Sequence, residues 1–222
     1  RLVGSEMCIR DRVALQSIDD ELFLSKVSIF RGHKLIVDEI SFRLPAGGIC
    51  LLQGPNGAGK TSLLRVVAGF LPANAGVLSL GAHLFNPVTS ILPIWYIGAP
   101  FGFHPSLTAA KNLSQIASMR NLSLPIDDSF HIKDFADQPL RTLSSGQLQR
   151  LALSQLLLRK DSHTPDLWLL DEPNSALDSY HCLVLETMIE KHIRSGGRVI
   201  AATHQPLCEH LSPEIIQLEA RK

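Results

Sequence analysis

Between Leu22 and Leu44 apolar and polar positions partly alternate, through LFLSKVSIF and then EISFRL, with β-branched and aromatic residues favoured. That is the pattern of paired strands with one solvated face, and it predicts an antiparallel β-layer. Residues 48–52, GICLL, are instead a short apolar run bounded by glycine, as expected of a strand buried on both faces. After a loop, Leu63, Val66, Val67 and Phe70 recur at helical spacing and predict a helix with one buried stripe. The strand pattern returns in PDLWLLDEP (165–173) and GGRVIAATH (196–204), with the helical stretch YHCLVLETMIEKHIRSGG between them. Such a β-α-β succession implies parallel strands. Residues 100–159 differ, because Pro100, Pro105 and Pro125 punctuate segments of helical spacing such as LTAAKNLSQIASM. The expected architecture is an α/β core over 22–99 and 160–222, carrying the antiparallel layer, with a helical subdomain inserted at 100–159.

Composition narrows the functional classes. At 222 residues the chain can bury a sizeable core. Its 21 basic and 21 acidic residues cancel, so no long-range field favours a polyanion, and nucleic acid is not an expected partner. Hydrophobic content of 45% with 6% aromatic reads as globular, and no window approaches the roughly 18 uninterrupted apolar residues of a membrane span. Cys8, Cys50, Cys182 and Cys208 form no C-x-x-C pair, which suits a reducing compartment. The first dozen residues, RLVGSEMCIRDR, resemble translated sequencing-adapter read-through. They are expected to be a disordered artefact outside the fold, and Met7 is not taken as an initiator.

The chemistry begins at GPNGAGKT, Gly54 to Thr61, which fits G-x-x-x-x-G-K-[ST] in full and lies between a predicted strand and a predicted helix. Gly54, Gly57 and Gly59 let backbone N–H groups converge on phosphate oxygens, and the helix N-terminus adds partial positive charge. Lys60 would reach the β- and γ-phosphates and Thr61 would ligate Mg²⁺. The nucleotide-binding set is therefore Gly54, Pro55, Asn56, Gly57, Ala58, Gly59, Lys60, Thr61 and Ser62; the alternative is a glycine-rich turn with no ligand. Asp171 and Glu172 end the strand LWLLDEP, where a parallel sheet would set them beside the phosphate loop. Asp171 would hold Mg²⁺, and Glu172 would orient or deprotonate the attacking water. Acidic residues favoured by a helix N-terminus are the competing explanation. His204 ends another apolar strand, where an imidazole could contact the γ-phosphate. LSSGQLQR (143–150) places small residues before Leu148, Leu151, Ala152 and Leu156 at helical spacing. It reads as a second anion site, capping nucleotide held by a second copy, or as a plain serine N-cap.

With GPNGAGKT, LSSGQ, LLDEP, SALD and TH in this order over most of residues 22–218, the chain resembles the ATP-binding subunits of ABC transporters. The resemblance implies a P-loop NTPase of the ABC-type nucleotide-binding class, with ATP and Mg²⁺ as cofactors and a homodimer that sandwiches two ATP molecules. It assigns Ser144, Ser145, Gly146 and Gln147 to the signature facing the partner's nucleotide, Asp178 to the loop coupling the two sites, and Phe30 to adenine stacking. Lys60, Glu172 and His204 become the catalytic residues. Within that family, WYIGAPFGFHPSLTAAKNL, LQRLALSQLLL, LWLLDEPNSALD and GGRVIAATHQPL are similar to the haem-exporter ATPases of cytochrome c biogenesis. That likeness implies a peripheral ATPase on the cytoplasmic face of the bacterial inner membrane, paired with an integral membrane permease, with haem itself not bound by this chain. Phe101, Phe103 and Leu107 lie where such a permease would dock, or they pack within the domain. Two departures stand out: Pro100 occupies the place of a glutamine that in the family contacts Mg²⁺ or water, and Ser145 the place of a second small residue. The ATPase subunit of another ABC importer or exporter, a soluble ATPase that remodels a protein scaffold, and a nucleotide-gated module that barely hydrolyses are the rival readings.

Overall fold

In the computed structural model, which describes residues 21–89, 92–124, 127–158 and 166–220, β1 (Leu22–Arg31) and β2 (Lys34–Leu44) form an antiparallel hairpin closed at Gly32 and His33. The expectations for residues 1–12 and Pro125 lie outside the described residues. Two further strands join the layer, β4 (Ala75–Leu80) on the free edge of β1 and the short β5 (His83–Leu84), in the order β2-β1-β4-β5. One face of the hairpin is solvated, and the other buries Leu22, Leu24, Val27, Ile29, Val37, Phe42 and Leu44. β4 escapes the sequence reading because its face is mostly exposed or half-buried, so no apolar alternation marks it.

The second sheet is wholly parallel. Its order is β6-β7-β8-β3-β9, with β3 (Ile49–Gln53), β6 (Ile94–Ile97), β7 (Leu167–Asp171), β8 (Arg198–Ala202) and β9 (Glu214–Gln217). Its central strands are buried on both faces, as their unbroken apolar runs require. Cys50 and Leu52, Leu167 and Leu169, and Ile200 and Ala202 join the antiparallel layer and α1 (Lys60–Val67) in one core. Their alternates Leu51, Trp168, Leu170, Val199 and Ala201 join a second core with α2 (Ala109–Met119), α3 (Ser145–Ser154) and α4 (Ser179–Arg194). Each fully buried aliphatic side chain stabilises the fold by about 1.5–3 kcal/mol, so the parallel sheet is the rigid floor from which the loops at its C-terminal edge project.

Two of the helices, α2 and α4, begin where the sequence supplies side-chain caps. Thr108 accepts a hydrogen bond from the Lys111 N–H, and Asp178 accepts one from His181 N–H. α1 ends earlier than the apolar spacing suggests. Gly69 adopts φ +79°, its N–H bonds the Val66 carbonyl, and Phe70 N–H bonds that of Arg65, a Schellman stop. Phe70, expected on the buried stripe, is therefore 64% exposed and lies edge-on to Tyr96. Among the described residues no helix is long and apolar enough to cross a membrane.

One half-buried histidine couples this core to pH. His192 stacks on Trp168 with ring centroids 3.7 Å apart, and its Nε2 donates to the Asp166 carbonyl at 3.0 Å. Burial pushes its pKa down to about 4, whereas a histidine in the unfolded chain titrates near 6.5. As pH falls through that interval the unfolded chain binds the extra proton, and stability drops by up to about 3 kcal/mol. Urea midpoints at pH 7.5 and pH 5 should therefore fall less in His192→Phe than in the wild type; an equal fall in both would remove His192 as the cause.

Candidate nucleotide site

The loop Gly54–Gly59 joins β3 to α1 and borders a cleft of about 640 Å³ lined by Asn56 to Ser62, Asp171 and Glu172, with Arg31, Lys34 and Arg65 adding cationic side chains to that of Lys60. Gly54 has φ +142°, and a Cβ there would come within 2.1 Å of the Leu218 carbonyl oxygen, so only glycine lets the chain turn at this point. α1 starts from Gly59 with no side-chain cap and no acidic residue in its first turn. Its first N–H groups and the positive end of its dipole are left to an anion. Lys60 is buried, and its Nζ donates to the carbonyls of Gly54 at 2.7 Å and Pro55 at 3.3 Å, holding the loop in its curved form.

At the C-terminal edge of the parallel sheet the two adjacent carboxylates diverge. Asp171 Oδ1 accepts from Thr61 Oγ1 at 3.0 Å and its Oδ2 from the Tyr96 hydroxyl at 3.3 Å. Glu172 turns away through a left-handed backbone, φ +51°, a conformation that costs a non-glycine residue on the order of 1–3 kcal/mol. Its N–H donates to the Ala202 carbonyl, and its Oε2 lies 2.8 Å from His204 Nδ1. No helix starts here: the next, α4, begins at Ser179, which removes the helix-terminus explanation of the acidic pair. Burial chiefly, with the Asp171 charge adding to it, raises the Tyr96 pKa above its ordinary value despite the opposing Arg65, so this hydroxyl stays protonated and donates.

The residues present fit a nucleotide and its metal. An uncapped helix start, a glycine cradle and three flanking cations suit a polyphosphate. Thr61 and Asp171 already share a hydrogen bond, and their hydroxyl and carboxylate oxygens suit a hard cation such as Mg²⁺. No group of three or more His, Cys, Asp or Glu side chains able to hold a metal occurs among the described residues. A Mg²⁺ ion would therefore rest on this pair and on phosphate oxygens.

The residues 144–147 are built as a helix start. Ser144 caps α3 in a reciprocal box: its hydroxyl accepts from Gln147 N–H at 3.2 Å, and its own N–H donates to Gln147 Oε1 at 2.8 Å. The first-turn N–H groups of Ser145 and Gly146 remain beyond the box. α3 is fastened to the loop that follows Glu172, because Gln149 Nε2 donates to the Pro173 carbonyl at 2.8 Å. A Cβ on Gly146 would approach the Ala176 carbonyl to 2.8 Å. Asp178 Oδ1 accepts from both the N–H and Nδ1 of His181, whose Nε2 lies 3.3 Å from Arg150 of α3. The hydrogen bonds from His181, its backbone N–H first, hold the Asp178 carboxyl below the usual carboxylate range.

Within one chain, Lys60, Thr61, Asp171 and Glu172 thus share one cleft, and His204 joins through Glu172. Ser144 to Gln147 and Asp178 do not line it. Nor does Phe30, whose ring is 44% exposed beside Arg31 and whose N–H donates to Asn74 Oδ1. Phe101 and Phe103 pack partly buried against the second core, although Phe101 also borders a separate cleft. Tyr96, Arg65, Arg31, Lys34, His181 and Arg150 were absent from the sequence-based site. The GKT motif fixes Arg65 five residues after Lys60, but Tyr96 becomes meaningful only once β6 is known to pair with β7.

Comparisons with known proteins agree with this geometry. Residues 37–175 match the family model described as ABC transporter. The cytochrome c biogenesis ATP-binding export protein CcmA of Pseudomonas putida is 37% identical over 186 residues, covering 80% of this chain and 86% of that protein. The protein of the same name from Maricaulis maris is 38% identical over 192 residues, covering 85% and 87%. A solved structure described as the ATP binding subunit of an ABC transporter superposes with a TM-score of 0.74 at 21% identity, covering 90% of this chain and 88% of the other. The phosphate loop, the paired carboxylates beside it and the matched length together place this chain in the ABC transporter family, as an ATP-binding subunit that couples ATP hydrolysis to transport.

Proposed function

We propose that this chain drives a transporter serving c-type cytochrome biogenesis, in which haem is delivered by the membrane assembly and is not bound here. The relatives named for cytochrome c biogenesis support the pathway. The observation that carries the chemistry is the Glu172 carboxylate 2.8 Å from His204 Nδ1, next to the Thr61–Asp171 pair. Lys60 and the N–H groups of Gly57 to Thr61 would neutralise the phosphate chain, and Thr61 and Asp171 would hold Mg²⁺. When bound, Mg·ATP would supply the scissile phosphoanhydride and a metal charge that stabilises the departing ADP. Glu172 orients the attacking water and takes its proton, and the imidazole of His204 keeps that carboxylate in one rotamer.

Ser144, Ser145, Gly146 and Gln147 then complete the site of a second copy, with Asp178 joining the two sites and Phe30 stacking on adenine. ATP favours the closed homodimer because the terminal phosphate touches both copies, and losing it opens the pair, a shift driven by differential contacts. The integral membrane permease senses that motion from the cytoplasmic face of the bacterial inner membrane, where this chain sits peripherally. Affinity purification of the tagged full chain from detergent-solubilised native membrane tests the assignment. A co-purifying membrane subunit of about six spans with a cytochrome-assembly role is expected. A sugar or amino-acid permease in its place would leave the ATPase standing and overturn the pathway.

A further inference from the structure

Tyr96 lines the neighbouring cleft and reaches the nucleotide cleft through Asp171. On one side its hydroxyl lies 3.3 Å from Asp171 Oδ2, and Asp171 Oδ1 is taken by Thr61. On the other side its ring meets Phe70 edge-on at 5.3 Å and borders a second cleft of about 410 Å³, shared with Gly98, Pro100 and Phe101. Arg65, from the last turn of α1, lines both clefts and sets its guanidinium charge near the same hydroxyl. A guanidinium offers donors only, so Arg65 does not compete for the single Tyr96 hydroxyl proton, which goes to the carboxylate. The approach is possible because residue 98 has no side chain. A Cβ there would come within 2.8 Å of the Asp171 Cβ and 2.9 Å of the Tyr96 oxygen. Pro100, two residues on, offers no side-chain polar atom to this edge of the site.

We propose that Tyr96 is a positioning residue for the metal-holding carboxylate: its hydroxyl fixes Asp171 Oδ2 and so turns Oδ1 toward Thr61 and the metal. This rests on the reading of Thr61 and Asp171 as the metal side of the nucleotide site. Hydrogen-bond partners of metal-holding groups commonly contribute about 10- to 100-fold to metal affinity. Because Tyr96 acts through a carboxylate and not on the phosphates, its effect belongs to the metal-dependent part of nucleotide binding alone.

Titration calorimetry on the full chain separates the two parts, with ADP in excess chelator and ADP with Mn²⁺ as the probes. Wild-type protein should bind Mn·ADP more tightly than metal-free ADP. In Tyr96→Phe, which keeps the ring against Phe70, metal-free ADP should bind within about twofold of wild type, while Mn·ADP weakens about tenfold. An unchanged gain from metal, or equal weakening of both probes, would overturn the role of Tyr96 and leave the metal site standing. A wild-type protein that gains nothing from Mn²⁺ would instead sink the metal-site reading, and the positioning role with it.

Discussion

Replacing Glu172 by glutamine should lower ATP turnover by about two to three orders of magnitude, the usual consequence of losing one positioned group that stabilises a transition state. Glutamine preserves shape and can still accept a hydrogen bond from His204 Nδ1, the contact made at 2.8 Å in the native chain, so folding and nucleotide affinity should survive. What disappears is the negative charge that receives the water proton. Phosphate-release rates at saturating Mg·ATP measure this directly. A variant turning over at the native rate would assign the base elsewhere and reduce Glu172 to a structural residue, its N–H tied to the Ala202 carbonyl and its carboxylate to His204.

Lys60→Ala should have the second large effect, this time on binding. Its ammonium is buried and bridges the carbonyls of Gly54 and Pro55, so the alanine variant loses the charge meant for the phosphates and also the tie that curves the loop. Charge-assisted hydrogen bonds contribute about 1.5–3 kcal/mol each. Losing this group should therefore weaken ATP binding on the order of a hundredfold or more. Calorimetric titration with ATP reads it, and an affinity equal to wild type would show that the cradle holds no polyphosphate.

The parts legible in the sequence are those whose physics is local. GICLL, LWLLD and RVIAA announce strands buried on both faces through unbroken apolar runs, and they are β3, β7 and β8. The phosphate loop announces itself because a strand, a glycine turn and a helix start must follow one another in the chain. What stayed hidden depends on neighbours distant in sequence. Tyr96 and Asp171 lie 75 positions apart, and only the β6–β7 pairing makes them partners. β9 is four residues long and exposed or half-buried, so no apolar run betrays it. Phe70 fits the helical period, yet the Gly69 turn stops α1 first, because a glycine at positive φ terminates a helix whatever the spacing beyond it. The assembly of Asp178, His181 and Arg150 depends on α3 lying beside α4, which spacing along one helix cannot reveal.

That assembly bears on how two copies would meet. Ser145 and Gly146 start α3, Gln149 grips the loop after Glu172, and Arg150 reaches His181 on Asp178. The surface proposed to cover a partner's nucleotide is thus bonded to the loop that follows the carboxylate proposed as the base, a short hydrogen-bonded route between the two proposed sites.

The proposed closure is tested most directly by the mass in solution of the Glu172→Gln protein, measured by light scattering with and without saturating Mg·ATP. The chain is 24.4 kDa. The account predicts a shift to twice that mass with Mg·ATP, reversed by ADP. A species that keeps the single-chain mass under saturating Mg·ATP, even in the presence of its membrane subunit, would contradict it.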